Sequence, residues 1–140
     1  MHLSDETALG RFRSARVAHL ATVSAAGQPH LVPVTFALRG KIIVTAVDHK
    51  PKATTNLKRL RNITETGRVS LLADDYDDQD WSRLWWVRVD GAARIVYDEQ
   101  ERAVQVERLC EKYVQYRENP PAGPVIWVEI DALTGWAYQD

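Results

Sequence analysis

The chain has 140 residues, enough for one domain that buries a core without disulfides, and Cys110 is its only cysteine. Its 18 basic and 19 acidic side chains give a formal net charge of −1, which argues against binding to nucleic acid or an anionic membrane. The sequence contains no run of about 18 apolar residues and no secretory pattern, so we expect a cytoplasmic protein that does not span a membrane.

The apolar residues change between strand and helix periodicity along the chain, because period two predicts strands and spacings of three or four predict helices. Ser4 and Asp98 stand where helix N-caps are expected, and Gly27 stands where a tight hairpin turn is expected. Pro33 indicates an edge strand or a bulge, because proline cannot donate a backbone hydrogen bond. The predicted elements are a helix at 4–15, strands at 17–23, 30–38 and 41–47, a helix ending near 63, a strand at 68–73, a long strand or a hairpin broken near 90–91 at 83–97, a helix from 98 that stops before 119, and strands at 124–130 and 134–139.

Many short strands with helices inserted one at a time favour a small barrel with peripheral helices over a repeated strand–helix–strand unit. The sequence shows no linker and no internal repeat. We therefore predict a mainly β fold in a single domain spanning residues 1–140.

Basic residues cluster between the third predicted strand and the helix that follows it. A helix N-terminus offers unpaired N–H groups and the positive end of its dipole, so nearby lysines make a site for phosphate or carboxylate. Lys50 and Lys52 lie at that position, and Pro51 suits a first helical turn. From the residues alone, an anion site and a solvated helix face are equally supported. The basic residues past the first turn fit the solvated face better: Lys58, Arg59 and Arg61.

Three tryptophans, Trp81, Trp85 and Trp86, lie close together with arginines between them. Side chains alternate across a strand, so Trp85 and Trp86 point to opposite faces of the sheet and cannot both be core residues. Either one of them lines a pocket for a planar ligand or a subunit contact, or one packs in the core and the other under a helix. The residues alone favour the second interpretation.

Five aspartates between residues 74 and 80 lack the spacing and the glycine of a calcium loop, so a solvated loop is favoured over a metal site. The four histidines show no zinc-binding spacing, and no nucleophile motif or phosphate-binding glycine loop is present. His30, at the start of the strand after the hairpin, is open to a catalytic or cofactor-contacting role. We predict no metal, and we expect a cofactor to carry the chemistry if the protein is an enzyme.

Three segments, taken in order, resemble the pyridoxamine-phosphate-oxidase-like family of split β-barrels: ARVAHLATVSAAGQPHLVPVTFAL, VTAVDHKPKATTNLKRLRNI and DDYDDQDWSRLWWVRVDGAARIV. The resemblance covers nearly the whole chain. The Lys-Pro-Lys and Trp-Ser-Arg-Leu-Trp-Trp segments look like the branch that uses the deazaflavin coenzyme F420 and not FMN. The family resemblance implies an FMN-binding-like split barrel that forms a homodimer, with the cofactor sites at the interface.

The resemblance also implies roles for individual residues. Anion binding falls on Lys52, assisted by Lys50 and the hydroxyl of Thr45, and Trp85 or Trp86 lies near the ring of the other subunit's site. This chain departs from relatives that have arginine at the position of Lys50, and it has one residue added before Asn56. The remaining positions that match cofactor-binding segments of the family are Gln28, Pro29, His30, Pro33, Val34, Pro51 and Asn56.

The resemblance implies an oxidoreductase that transfers hydride between reduced F420 and a small molecule that the sequence does not identify. One alternative is an FMN-dependent oxidase or reductase on the same fold. The other is a cofactor carrier or haem-binding protein without turnover. No catalytic residue is assigned, although His30 is a candidate proton donor.

Overall fold

In a computed structural model, which describes residues 1–47 and 57–139, seven antiparallel strands form one sheet. No helix among those residues is long and apolar enough to cross a bilayer. The helices are α1 (Asp5–Ser14), α2 (Lys58–Thr66), α3 (Glu99–Lys112) and α4 (Val114–Glu118), and the strands are β1 (Ala18–Val23), β2 (Pro29–Val34), β3 (Ala37–Arg39), β4 (Ile42–Ala46), β5 (Arg68–Asp75), β6 (Trp85–Val96) and β7 (Val125–Ala137). The strand order across the sheet is β2-β1-β5-β6-β7-β4-β3.

The sheet is curled because its two edge strands follow each other in the chain. β2 and β3 lie at opposite edges, yet only Thr35 and Phe36 separate them. Such a link spans about 10 Å, whereas the edges of a flat seven-stranded sheet would be roughly 29 Å apart. The prediction of one strand at 30–38 is therefore wrong, because the chain stops pairing with β1 at Val34 and starts pairing with β4 at Ala37.

Tyr113 fixes the link between the two edges. Its hydroxyl accepts a hydrogen bond from the backbone N–H of Phe36 at 3.1 Å and lies 2.9 Å from the carbonyl oxygen of Arg16. The hydroxyls of Thr35 and Tyr116 are also hydrogen-bonded, at 2.7 Å. Tyr113 has extended backbone angles, so it separates α3 from α4 where the sequence predicted one continuous helix.

Two apolar cores lie on opposite faces of the sheet. The first fills the inside of the curl, where α1 and α2 contribute Phe12 and Ile63, and where Phe12 and Phe36 stack with ring centroids 4.8 Å apart. The second lies between α3 and the β3–β4–β7 part of the sheet, around Leu109 and Val125. The predicted N-caps are confirmed, since Ser4 accepts from the N–H of Thr7 and Asp98 accepts from that of Glu101.

The sequence predicted β6 better than β7. β6 is one strand of 12 residues, which confirms the long strand predicted at 83–97 and makes the alternative hairpin near residues 90–91 wrong. β7 is also one strand, of 13 residues, so the predicted pair of closing strands is wrong. The pairing moves from Asp90 opposite Ala132 to Gly91 opposite Ile130, which leaves Asp131 as the extra residue of a β-bulge. Gly91 marks the bulge and not a turn.

Lys112 is a half-buried residue whose Nζ is buried beside the Thr35–Phe36 link between β2 and β3. Its Nζ lies 3.8 Å from the centroid of the Phe36 ring and 5.3 Å from that of Tyr113. Burial, and then the charge of Arg16, lower the pKa of Lys112 from 10.5 to about 8. The folded protein therefore releases this proton at a lower pH than the unfolded chain does.

Replacing Tyr113 with phenylalanine should lower the free energy of unfolding by about 1–3 kcal/mol, because the N–H of Phe36 loses its partner in a buried site. Urea unfolding would measure the change. Tyr97→Phe is the matched control, since Tyr97 is exposed and should tolerate the change within about 0.5 kcal/mol. Equal effects of the two substitutions would show that the hydroxyl of Tyr113 does not stabilise the link.

The lowered pKa of Lys112 predicts a pH dependence of stability. Between about pH 8 and 10.5 the unfolded chain holds the proton that the folded protein has lost, so this group makes the free energy of unfolding rise with pH. From pH 7.5 to 10 we expect a gain of about 1–2 kcal/mol relative to Lys112→Met, after allowance for the partial exposure of the side chain. Burial raises the pKa of Tyr113, which opposes the gain only at higher pH. Identical slopes in urea titrations of the two proteins would contradict this assignment.

Candidate functional site

A cavity of about 480 Å³ lies on the outer face of the curled sheet, where β2, β1, β5, β6 and β7 lie side by side in that order. One row of paired residues runs across this face: Leu31, Ala21, Ser70, Asp90 and Ala132. We call this cavity the outer-face cavity. The residues that line it are Ala21, Thr22, Val23, Pro29, Arg68, Val69, Ser70, Asp90, Asp131 and Ala132.

The outer-face cavity combines an apolar side with a charged side. The β1–β2 side presents Val23 and Pro29, whereas the β5–β7 side carries polar groups. The hydroxyl of Ser70 donates to Asp90 at 2.5 Å, and Arg68 pairs with Asp131 at 3.3 Å. A planar molecule with hydrogen-bonding groups along one edge fits such a lining, and the volume lies in the usual range for small-molecule sites.

The bulge positions the charged side. Because Asp131 is the extra residue in β7, the strand bends there, and Asp131 pairs with Arg68 on the same side of the cavity. Asp90, the residue before Gly91, also lies 3.8 Å from the guanidinium Nε of Arg88. The sequence marked Asp90 and Gly91 as a break, but it gave no sign that Ser70 and Asp131 would join them.

The predicted cofactor-binding residues Gln28, Pro29 and His30 lie beside the outer-face cavity, and Pro29 lines it directly. The hairpin that carries them is closed by a hydrogen bond from the N–H of Gln28 to the hydroxyl of Ser24 at 3.0 Å. The side chain of His30 is on the inner face, opposite Thr22. Its Nδ1 is buried and has no hydrogen-bond partner within the part of the chain that the structure describes.

Asn62 supports this end of the sheet from inside. It is 2% exposed, and its side-chain amide donates to the hydroxyl of Thr22 at 3.0 Å, which ties α2 to β1 next to His30. Sequence reasoning missed this residue. An asparagine within the apolar positions of a helix is a signal for such a contact, because a buried amide needs a polar partner.

Pro33 and Val34 lie at the far end of β2. Pro33 is exposed on the outer face, whereas the side chain of Val34 is 7% exposed and belongs to the inner core. Thr45 of β4 is also buried, at 2% exposure, and it pairs with Ile126 of β7. Val34 and Thr45 could therefore contact a ligand only through local rearrangement or their backbone. The predicted anion-binding residues Lys50, Pro51, Lys52 and Asn56 lie outside the described residues.

Trp85 and Trp86 point to opposite faces, as predicted. Trp85 packs against the inner core and lines a cavity of about 430 Å³ beside α1, with the guanidinium of Arg11 5.8 Å from its ring centroid. Trp86 lies on the outer face opposite Trp136, with Arg88 above its ring at 5.7 Å. Neither tryptophan lines the outer-face cavity of its own chain.

Metal binding finds no support in the described ranges 1–47 and 57–139, where no three side chains of His, Cys, Asp or Glu come together. Within the aspartate-rich segment 74–80, Asp77 and Asp80 contact residues close to them in the sequence. Asp80 accepts hydrogen bonds from Ser82, which lower its pKa, and Asp77 lies 3.6 Å from Arg83. The geometry defines a curled-sheet protein with a cavity on its exposed sheet face.

Comparison with known proteins identifies the family. The family model for pyridoxamine 5'-phosphate oxidase matches residues 4–137, and the chain belongs to this family. None of the functionally curated proteins compared with the chain matches it significantly.

Solved structures share the fold. A conserved hypothetical protein, Rv2991 from Mycobacterium tuberculosis, is 20% identical with a TM-score of 0.79, covering 97% of this chain and 86% of that one. An FAD-binding protein from Mesorhizobium loti is 19% identical with a TM-score of 0.74, covering 96% and 95%. The haem storage protein HutZ from Vibrio cholerae is 17% identical with a TM-score of 0.71, covering 95% and 94%. The split-barrel fold expected from the sequence is confirmed, and it serves both flavin- and haem-binding proteins.

Replacing Gly91 with alanine should distort the bulge and the outer-face cavity. A Cβ at this position would collide with the carbonyl oxygen of Glu129 and lie 3.0 Å from the side chain of Val128. We expect a loss of about 1–3 kcal/mol in the free energy of unfolding, measured by urea titration. Gly10→Ala is the matched control. Gly10 lies in α1 with open space around it, so alanine there should stabilise the protein by about 0.5–1 kcal/mol. A tolerated Gly91→Ala would show that the bulge is not tightly packed.

Proposed function

We propose that this protein is an oxidoreductase that binds the tricyclic ring of a flavin-type cofactor in the outer-face cavity. The observation that carries the proposal is the lining of that cavity, with apolar Val23 and Pro29 on one side and the Ser70–Asp90 pair on the other. A flavin or deazaflavin ring has the same division, because its benzenoid end is apolar and its pyrimidine end carries hydrogen-bonding groups. The family supports the same proposal.

The proposal includes a homodimer in which a second copy covers the outer face. Leu31 is 66% exposed and Leu72 is 37% exposed there, beside exposed Pro33. Apolar side chains gathered on one face are typical of an interaction surface. A partner subunit would also shield the cavity from water.

The tryptophans fit this dimer better than they fit a site within one chain. From Asp90, which lines the cavity, to Trp86 the strand extends four residues, or roughly 13 Å. Trp86 is therefore better placed to contact a ring in the site of a partner subunit than one in the cavity of its own chain. The resemblance of the sequence to the family implies the same arrangement.

When bound, the cofactor would supply the hydride chemistry. The residues of this chain would bind and orient the cofactor: Arg68, Ser70 and Asp90 at the ring edge, and Lys50 and Lys52 at the phosphate. His30 is the nearest candidate to hold a proton, since its buried Nδ1 has no hydrogen-bond partner among the residues that the structure describes. Its ring must turn toward the cavity to act there, because it faces the opposite side of β2.

Two kinds of cofactor are compatible with this proposal. The Lys-Pro-Lys and Trp-Ser-Arg-Leu-Trp-Trp segments favour F420, whereas the fold similarity to an FAD-binding protein favours a flavin. A third possibility, storage or transport without turnover, has support from the haem storage protein with the same fold. Binding and turnover measurements separate the three.

Fluorescence titration of the purified protein with F420, FMN and FAD tests the cofactor. We expect micromolar or tighter binding of F420 and weaker binding of the flavins. Lys52→Ala should weaken F420 binding about tenfold or more, because a charge-assisted contact to phosphate is lost. Lys58→Ala is the matched control, since Lys58 is exposed at the start of α2 and should leave binding unchanged. Leu31→Lys should convert the dimer to a monomer in light scattering and weaken cofactor binding at the same time.

The other outcomes are informative in different ways. Tight binding of FMN or FAD with weak F420 binding would identify a flavin protein. Tight binding of any of these cofactors with no oxidation of its reduced form by unsaturated or carbonyl acceptors would support a carrier. If none of the three binds, the proposed function is wrong.

A further inference from the structure

A further cavity, of about 390 Å³, lies between the C-terminal end of α1, strand β3 and the last turns of α3. We call it the basic pocket. Five cations and one carboxylate line it: Arg13, Arg16, Arg39, Arg108, Lys112 and Glu111. Five of the 18 basic side chains are thus gathered at one place in a chain whose net charge is −1.

These cations are not neutralised by neighbouring acidic groups. Within residues 1–47 and 57–139, none of the five forms an ion pair, whereas Arg68, Arg83, Arg88, Arg94 and Arg102 all do. Like charges held close together repel one another, and a bound anion would remove that cost.

Two donor atoms of these half-buried side chains are buried without hydrogen-bond partners. They are the Nζ of Lys112 and the Nε of Arg108, and neither has a partner among the described residues. Buried charged donors without partners are costly, so their retention in one cavity points to a ligand that accepts hydrogen bonds. Burial, and then the nearby charge of Arg16, also lower the pKa of Lys112 to about 8.

The basic pocket is also held in place by its own contacts. Arg16 donates from a guanidinium nitrogen to the carbonyl oxygen of Lys112 at 3.1 Å and lies 4.8 Å from the centroid of the Tyr113 ring. The Nζ of Lys112 rests on the ring of Phe36. A ligand would therefore meet cations that are already positioned, which reduces the entropy lost on binding.

We propose that the basic pocket binds the phosphate group of a small phosphorylated molecule. Five cations against one carboxylate suit a multiply charged anion better than a single carboxylate, and guanidinium groups match phosphate oxygens in geometry. Ala37 and Leu38 add an apolar side to the pocket, where the organic part of such a molecule can pack.

The basic pocket is separate from the outer-face cavity. The two cavities share no lining residue. The basic pocket lies at the end of α3 that carries Lys112, whereas the outer-face cavity is lined by residues of β1, β2, β5, β6 and β7.

Isothermal titration calorimetry with pyrophosphate, at a pH near 7.5, tests the proposal. We expect binding to the unaltered protein, and Arg13→Gln and Arg108→Gln should each weaken it about tenfold through loss of a charge-assisted contact. Arg83→Gln is the matched control, because it removes one positive charge that does not line the pocket, at a mostly exposed site. Lys52→Ala separates the pocket from the cofactor site, because the loss caused by Arg13→Gln should be the same in the Lys52→Ala background as in the unaltered protein.

Arg13 is exposed, so Arg13→Gln keeps the test valid even if Arg108→Gln disturbs folding. Absence of pyrophosphate binding at millimolar concentration would overturn the proposal. Equal losses in Arg13→Gln and Arg83→Gln would also overturn it, because they would show a general charge effect. A loss confined to Lys52→Ala would assign the binding to the cofactor segment and overturn it as well.

Discussion

The two-residue passage from β2 to β3 is the constraint on which the rest of the structure depends. Thr35 and Phe36 carry the chain from one edge of the sheet to the other, so the seven strands must curl. The passage carries backbone groups that no longer pair within the sheet, and Tyr113 supplies a hydrogen bond to one of them. The break between α3 and α4 follows from that requirement, because Tyr113 leaves helical geometry at the point where it contacts Phe36.

Because the sheet curls, its inner face is buried and part of its outer face is exposed. The inner face closes around Leu20, Leu71 and Val89, which are fully buried, and it needs no partner. The outer face over β2, β1 and β5 is covered by no helix of the described chain, and it carries exposed Leu31 and the cavity beside Pro29. The bulge at Asp131 then turns a charged pair toward that cavity. A stable closed interior thus coexists with an open face suited to binding.

Local features of the fold could be predicted from the sequence, whereas long-range pairings could not. The caps at Ser4 and Asp98 depend on neighbouring residues alone, and their positions were correct. The run from His30 to Leu38 looks like one strand, because alternation does not reveal where a strand changes partner. The bulge at Asp131 and the contact of Asn62 with Thr22 depend on residues about 40 positions apart. For the candidate site, the resemblance located the hairpin at Gln28–His30, but not Ser70 or Asp90 opposite it.

The basic pocket shows why net charge is a poor guide to ligand charge in this protein. A formal charge of −1 argues against a partner held by a field over the whole surface, and that argument still holds. It does not exclude a local site, because Arg13, Arg39 and Arg108 come from three elements far apart in the sequence and meet only in the fold. No acidic side chain of the described residues forms an ion pair with them, so a small anion that enters the pocket would meet several unpaired cations. Recognition of anions in this chain is therefore a property of its packing around Phe36 and Tyr113, and not of its composition.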